Sequence, residues 1–266
     1  MFWRFFALSS LAFSSALSAA DVPRQPTGKW VAEYGEDECL LSRSYGTDAN
    51  TLILTFRQLP MDEAARVIVF TSEAHSEPDM GTEGHLTFGS NRIARSFNAF
   101  RLVGKPIRRI ETIVKRSDLV SAVPSETVSI EVPGEVKETF AVPGLGPALD
   151  VLADCALKLG AAWGVPVEQQ RRMKTPAKLI GVPFTSFDFP DAAIRKEMNG
   201  RTEIRLTVDD HGQPLDCFPL KSTPDPVFAR TSCNVMLKRA HFHPASDIDG
   251  KPIKSIYVQS VYFLTG

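Results

Sequence analysis

Two histidines flanking a phenylalanine, His241-Phe242-His243, put two imidazoles on the same side of an extended segment, a spacing that can offer two nitrogens to a metal ion. No acidic or cysteine partner adjoins them to complete a ligand set. The pattern therefore reads as polar residues on either side of a buried Phe242. Asp209-Asp210 invites an acid and base pair, but adjacent residues at a hairpin point apart, and turn chemistry accounts for them better. Gly89-Ser90 follows a strand without the Gly-x-Ser-x-Gly elbow that exposes a serine nucleophile. Gly144-Leu145-Gly146 begins like a dinucleotide fingerprint but lacks the third glycine and the parallel-sheet unit. Cys39, Cys155, Cys217 and Cys233 include no pair at the two-residue spacing of a zinc knuckle. The reading assigns no catalytic residue, metal or cofactor, so an enzyme is not supported. The alternative is an exported enzyme whose site is dispersed through the N-terminal region.

The four cysteines form an even set, which in an exported chain suggests disulfides, and by count alone three pairings are open. Residues 1–20 support export. They carry one basic residue, Arg4, then an apolar run over 5–17, then Ser18-Ala19-Ala20 before Asp21, the form of a secretory signal cleaved after Ala20. A retained anchor is the rival, but the run falls short of the about 20 apolar residues that span a bilayer. No later segment is long and apolar enough, so the mature chain is expected not to span the membrane. With Lys+Arg at 30 and Asp+Glu at 31, the chain lacks the basic excess of a nucleic-acid binder. A hydrophobic fraction of 43% is ordinary for a globular protein, and the length suffices for two modest cores.

The elements that would position any site fall into two groups. Apolar runs at 51–56, 66–71, 85–88, 110–114 and 127–132 alternate with turn residues and predict a mostly antiparallel β-rich domain. Beyond Pro143 the period changes, and Leu149, Leu152, Cys155, Ala156, Leu159 and Trp163 share one face of a closing helix. Prolines and the basic residues Arg171, Arg172, Lys174 and Lys178 mark a linker. Next comes a helix opened by Phe187-Asp188-Phe189-Pro190 and ending near Gly200. A strand over 202–209, a hairpin at Asp210-His211-Gly212, a second strand over 213–221, a helix from Asp225-Pro226 to about Arg239 and a last strand, Ser255–Phe263, complete the order. The expected fold class is α+β, with a signal at 1–20, a β-rich domain at 21–165, a linker at 166–183 and a small domain at 184–266.

That last unit resembles the C-terminal domain of TonB-type energy transducers. The shared motifs, in order, are the aromatic-Pro helix start, the hairpin Val208-Asp209-Asp210-His211-Gly212-Gln213-Pro214, the corner Phe242-His243-Pro244-Ala245 and the turn Asp249-Gly250-Lys251-Pro252. The preceding region resembles a domain that accompanies such units in exported bacterial proteins. Its marks are Trp30, the segment Asp37-Glu38-Cys39-Leu40-Leu41-Ser42-Arg43-Ser44-Tyr45-Gly46, and Cys155 with Leu159, Trp163 and Gly164. With the chain divided this way, Cys217 at a strand end and Cys233 in the helix over that sheet are expected to pair within one domain, leaving Cys39 to Cys155 in the other. The resemblance implies a periplasmic, non-catalytic binding protein whose last strand receives a protein or peptide strand through Ser255, Ile256, Tyr257, Val258, Gln259, Ser260, Val261 and Tyr262. In the family the partner is an outer-membrane transporter. Cover by the N-terminal domain or self-pairing into a homodimer are the alternatives for the same edge. Energy transducers need an uncleaved membrane helix and a long Pro-rich spacer, and neither is expected here.

Overall fold

The structure is a computed structural model that describes residues 22–72, 79–102, 104–121 and 123–264, so the signal segment lies outside the described residues. In the first half the chain forms β1 (Val31–Tyr34), β2 (Cys39–Tyr45), β3 (Leu52–Gln58), β4 (Ala64–Thr71), β5 (Asp79–Phe88), β6 (Asn91–Arg101) and β7 (Arg108–Lys115). A short helix α1 (Arg116–Ser121), strands β8 (Thr127–Val132) and β9 (Val136–Ala141), and the long helix α2 (Leu145–Ala162) follow. The nine strands make one antiparallel sheet in the order β1-β2-β3-β4-β7-β6-β5-β8-β9.

Side chains alternate across this sheet, and the inner face supplies the larger core. Leu41, Leu54, Phe56, Val67, Val69, Phe97 and Ile110 pack there with Leu152, Cys155 and Leu159 of α2. Right-handed twist accumulated over nine strands curls the sheet until its far strands meet. Tyr45 of β2 packs edge-on against Phe140 of β9 with ring centroids 4.8 Å apart, and its hydroxyl donates to the Ala141 carbonyl at 2.9 Å. Arg24 and Pro26 bridge the opening by pairing with Phe140 and Tyr45. Trp30 and Arg43 both donate to the Pro143 carbonyl, at 3.1 and 2.7 Å, which fastens the start of this domain to the loop before α2.

The segment expected as a linker is instead built into the second half. It holds α3 (Val167–Arg172), β10 (Met173–Thr175) and β11 (Lys178–Ile180), followed by α4 (Asp191–Ile194), β12 (Gly200–Val208), β13 (Pro214–Thr223) and α5 (Val227–Arg239). Strands β14 (His241–His243), β15 (Ala245–Asp247), β16 (Pro252–Ile253) and β17 (Ser255–Phe263) end the chain. β10 pairs with β15 and β11 with β14, while Met173, Ala177 and Leu179 join the core formed by Ile204, Leu206, Met236 and Phe242. Exposed Lys174 and Lys178 alternate with these apolar residues, and that basic composition disguised paired backbone as a linker.

The second sheet is antiparallel, in the order β13-β12-β17, with α5 on one face. The helix expected from Phe187 to Gly200 is shorter than the sequence suggested. After α4 the chain turns, with Glu197 at φ 50°, a conformation that a continuing helix excludes. Gly200 then lets β12 approach α5, because a Cβ there would lie 2.2 Å from the Phe228 ring. Gly212, at φ 81°, closes the hairpin where a Cβ would meet the Phe242 carbonyl oxygen at 2.0 Å. The described fold is mixed helix and strand with antiparallel sheets.

Candidate recognition edge and the charged seam beneath it

β17 lies at one side of the three-stranded sheet. Its ladder to β12 runs from Ser255 opposite Val208 to Phe263 opposite Gly200, and among the described residues its other side has no strand partner. The pleat divides its side chains between two environments. Tyr257 stacks edge-on against Phe242 at 4.8 Å, and Val261 and Phe263 join Phe189 and Phe228 on the α5 side. Ile256 and Val258 pack against Met61, Trp163 and Val165 of the N-terminal half. Ser260 is 2.9 Å from an Arg66 guanidinium nitrogen, and Tyr262 underlies the Arg201 guanidinium, 5.5 Å from the ring centroid. Gln259 accepts from the Tyr257 hydroxyl at 2.8 Å and donates to the Ser260 carbonyl at 2.7 Å. Beside Ile256, Tyr257 and Val258 opens a groove of about 550 Å³, walled by Met61, Ala64, Ile113 and Val114. The N-terminal domain thus covers one face of this sheet, and the flank of β17 borders the groove.

Beneath the edge, the two sheets meet through charges. On the outer face of the nine-stranded sheet, register places Arg57 beside Arg66 and Glu111 beside Ile68. Facing them is β12, with Arg201, Glu203 and Arg205 on its N-terminal-domain side. Arg57 grips Glu203 with both ends of its fork, at 2.9 and 2.6 Å, and its Nε lies 2.7 Å from Glu38. Arg66 reaches Glu111 at 3.0 Å and Glu203 at 3.2 Å. Glu111 also receives Arg109 at 2.8 Å and Arg201 at 3.1 Å, while Lys221 pairs with Glu38. Arg205 stacks between Trp163 and Phe218, 4.7 and 4.3 Å from their centroids. Such a bidentate, desolvated network is geometrically specific even where its net stabilisation is modest.

Burial pushes the Glu203 carboxyl up, but the Arg57 hydrogen bonds and the charges of Arg57, Arg66 and Arg201 outweigh it and hold the group at about 2. Glu111 is also buried and Glu38 partly so, and against that burial Glu38 is lowered by Arg57 and Lys221 and Glu111 by Arg109, Arg201 and Arg66. Because the folded-state values lie below those of the unfolded chain, the stabilisation is complete above the ordinary carboxylate value and is lost as pH falls toward 2. For Glu203 alone, a drop from 4.5 to about 2 corresponds to about 3 kcal/mol. Denaturant titrations between pH 6 and 2 are expected to show this loss in the native protein and a flatter profile in Glu203→Gln. An unchanged slope in that variant would place the acid sensitivity elsewhere.

The residues singled out in the sequence are dispersed. His241 and His243 are exposed on β14 with Phe242 buried between them, and among the described residues no three His, Cys, Asp or Glu side chains cluster to hold a metal. Asp209 accepts the N–H groups of His211 and Gln213 at 2.9 and 2.7 Å and so closes its turn. Gly144 sits in left-handed conformation at the head of α2. Cys39 of β2 is joined to Cys155 of α2, and Cys217 of β13 to Cys233 of α5, with Cα separations of 5.9 and 5.5 Å. Sequence reasoning passed over the seam entirely. Its charges alternate with apolar residues as on any solvated strand face, and the only available signal was their mid-strand position on several strands at once.

Residues 185–264 match the family model described as the Gram-negative bacterial TonB protein C-terminal. The unit from α4 to β17 is therefore a TonB C-terminal-like domain. No curated protein matches the chain. Among the described residues no helix is long and apolar enough to cross a membrane.

Proposed function

We propose that the protein is a periplasmic, non-catalytic binding protein, exported by a signal cleaved after Ala20, whose C-terminal sheet takes an extended segment of a partner protein onto β17. The observation that carries this reading is the flank of β17, which lacks a strand partner among the described residues and adjoins an apolar groove. A sheet edge presents a row of N–H and C=O groups that an added strand satisfies, with alternate side chains left to provide specificity. The TonB C-terminal-like domain supports a partner at the cell envelope, with an outer-membrane transporter as the partner class. The contact residues are Ser255, Ile256, Tyr257, Val258, Gln259, Ser260, Val261 and Tyr262. The N-terminal domain holds the sheet in place, with residues 21–165 as one principal unit and 184–266 as the other, against which the segment 166–183 is paired.

Capture of an envelope protein by the mature chain, followed by a titration with the purified partner, provides the test. Gln259→Pro, with its fold verified by circular dichroism, is expected to weaken binding at least tenfold, because proline removes a main-chain donor. Gln259→Ala keeps the backbone and should bind within about twofold of the native protein. Equal, negligible effects from both changes would show that recognition does not use this edge. A two-fold symmetric dimer in solution that Gln259→Pro dissociates would assign the edge to a second copy of the chain.

A further inference from the structure

The seam carries more positive than negative charge. Three carboxylates, Glu38, Glu111 and Glu203, meet five cations, Arg57, Arg66, Arg109, Arg201 and Lys221. A further carboxyl, Asp62, lines the groove beside β17, and burial pushes it up toward its neutral form. Four of the five cations, Arg57, Arg109, Arg201 and Lys221, line a cavity of about 520 Å³ between the sheets, within the usual size of a small-molecule site. Burial is the main cause that lowers both Arg109 and Lys221, opposed by Glu111 and Glu38 respectively, and the crowding of Arg201 and Arg57 on Arg109 and of Arg57 and Arg109 on Lys221 adds to it.

Glu38, Glu203 and Thr55 complete the polar lining, the two carboxylates already held by Arg57 and Lys221, and the other walls are apolar and partly aromatic. Leu40, Ile68, Phe70, Phe100 and Leu102 line the same space. Phe100 is clasped by two guanidinium groups, with Arg109 at 5.7 Å and Arg201 at 5.2 Å from its centroid. Both guanidinium groups are also anchored on Glu111, so they are fixed before any ligand arrives. Pre-organised cations in a concave, weakly solvated site favour an oxyanion, and ring faces favour an apolar or aromatic body attached to it.

We infer that this cavity is a binding site for a small organic oxyanion, a carboxylate or phosphate borne on an apolar or aromatic body, held by Arg109, Arg201 and Lys221 with the body against Phe70 and Phe100. The site is independent of strand addition at β17. It lies between the nine-stranded and three-stranded sheets, so its occupant would brace the same seam that Arg57 and Glu203 hold.

Calorimetric titrations of the mature protein with benzoate, phenyl phosphate and inorganic phosphate, at fixed ionic strength in chloride, test the inference and separate the two oxyanion types. The expected result is saturable one-to-one binding of benzoate or phenyl phosphate, at least tenfold tighter than inorganic phosphate. Lys221→Gln, at a half-exposed position, should weaken it about tenfold, the loss of one charge-assisted contact. Lys158→Gln, which removes an exposed cation on α2, should leave it unchanged. Phe100→Leu keeps every charge and should narrow the preference over inorganic phosphate. Absence of saturable binding of either aromatic probe at millimolar concentration would overturn the site, as would equal affinity for inorganic phosphate or equal weakening in the two lysine variants.

Discussion

Replacing both cysteines of the N-terminal bridge, Cys39→Ala with Cys155→Ala, is expected to destabilise the protein by about 5 kcal/mol, the chain-entropy value for a loop of this size. The two residues are 116 positions apart, so the bridge closes nearly the whole N-terminal domain and removes a large share of its unfolded freedom. The other bridge spans 16 positions, and its removal should cost about 3 kcal/mol. Position sharpens the contrast: Cys39 and Cys155 are both buried in the larger core, where they hold α2 against β2. Thermal unfolding of the two double variants measures the difference. The first should melt about 10 °C or more below the native protein and the second less far. A reversed order, or equal small losses, would show that strain or residual structure in the unfolded chain outweighs loop closure.

Arg57→Ala is the second large effect. Arg57 and Glu203 are almost fully buried and bonded through both nitrogens of the fork, so removing the guanidinium leaves Glu203 in a low-dielectric seam with Arg66, the Ser260 hydroxyl and the more distant Arg201 charge, but without its bidentate partner. Breaking one side of such a pair costs about 3 to 5 kcal/mol. Arg57→Met combined with Glu203→Leu removes both charges and refills the volume, and its stability should return to within about 1.5 kcal/mol of the native value. The cycle is read by denaturant unfolding, followed with separate probes for the two halves because two units need not unfold together. A double variant as unstable as Arg57→Ala would mean that the pair stabilises the seam outright and that hydrophobic replacement cannot substitute for it.

The parts of this fold that were legible in the sequence are those whose periodicity and turn residues agree. β8 buries every second residue, the expected runs at 66–71, 110–114 and 127–132 fall within β4, β7 and β8, and the run at 51–56 begins one residue before β3. The hairpin at Gly212, helix α5 and strand β17 were legible from their bounds, with left-handed glycines at Gly212 and Gly250 and the Asp225-Pro226 start before α5. β6 was not, because only Phe97 and Ala99 of its eleven residues are buried and the rest expose Arg, Asn and Ser. β2 attracted notice as a motif rather than as a strand, since Arg43 and two serines interrupt its apolar residues. The seam is the deepest omission. One domain burying a polar face of another leaves no period in either sequence, and opposite charges that meet across strands far apart in the chain look like two solvated surfaces.

The pairing of β17 with β12 also has a mechanical side. The nine residue pairs of that ladder lie side by side along the strand direction. A tug along β17 therefore acts parallel to the strands and loads the hydrogen bonds together, whereas a tug across them would peel the bonds away one at a time. β12 in turn is flanked by β13, which the Cys217–Cys233 bond clamps covalently to α5, and is keyed to the nine-stranded sheet through Glu203. Traction applied along β17 would thus be passed as shear into a braced sheet and, through Glu203, on to the nine-stranded sheet.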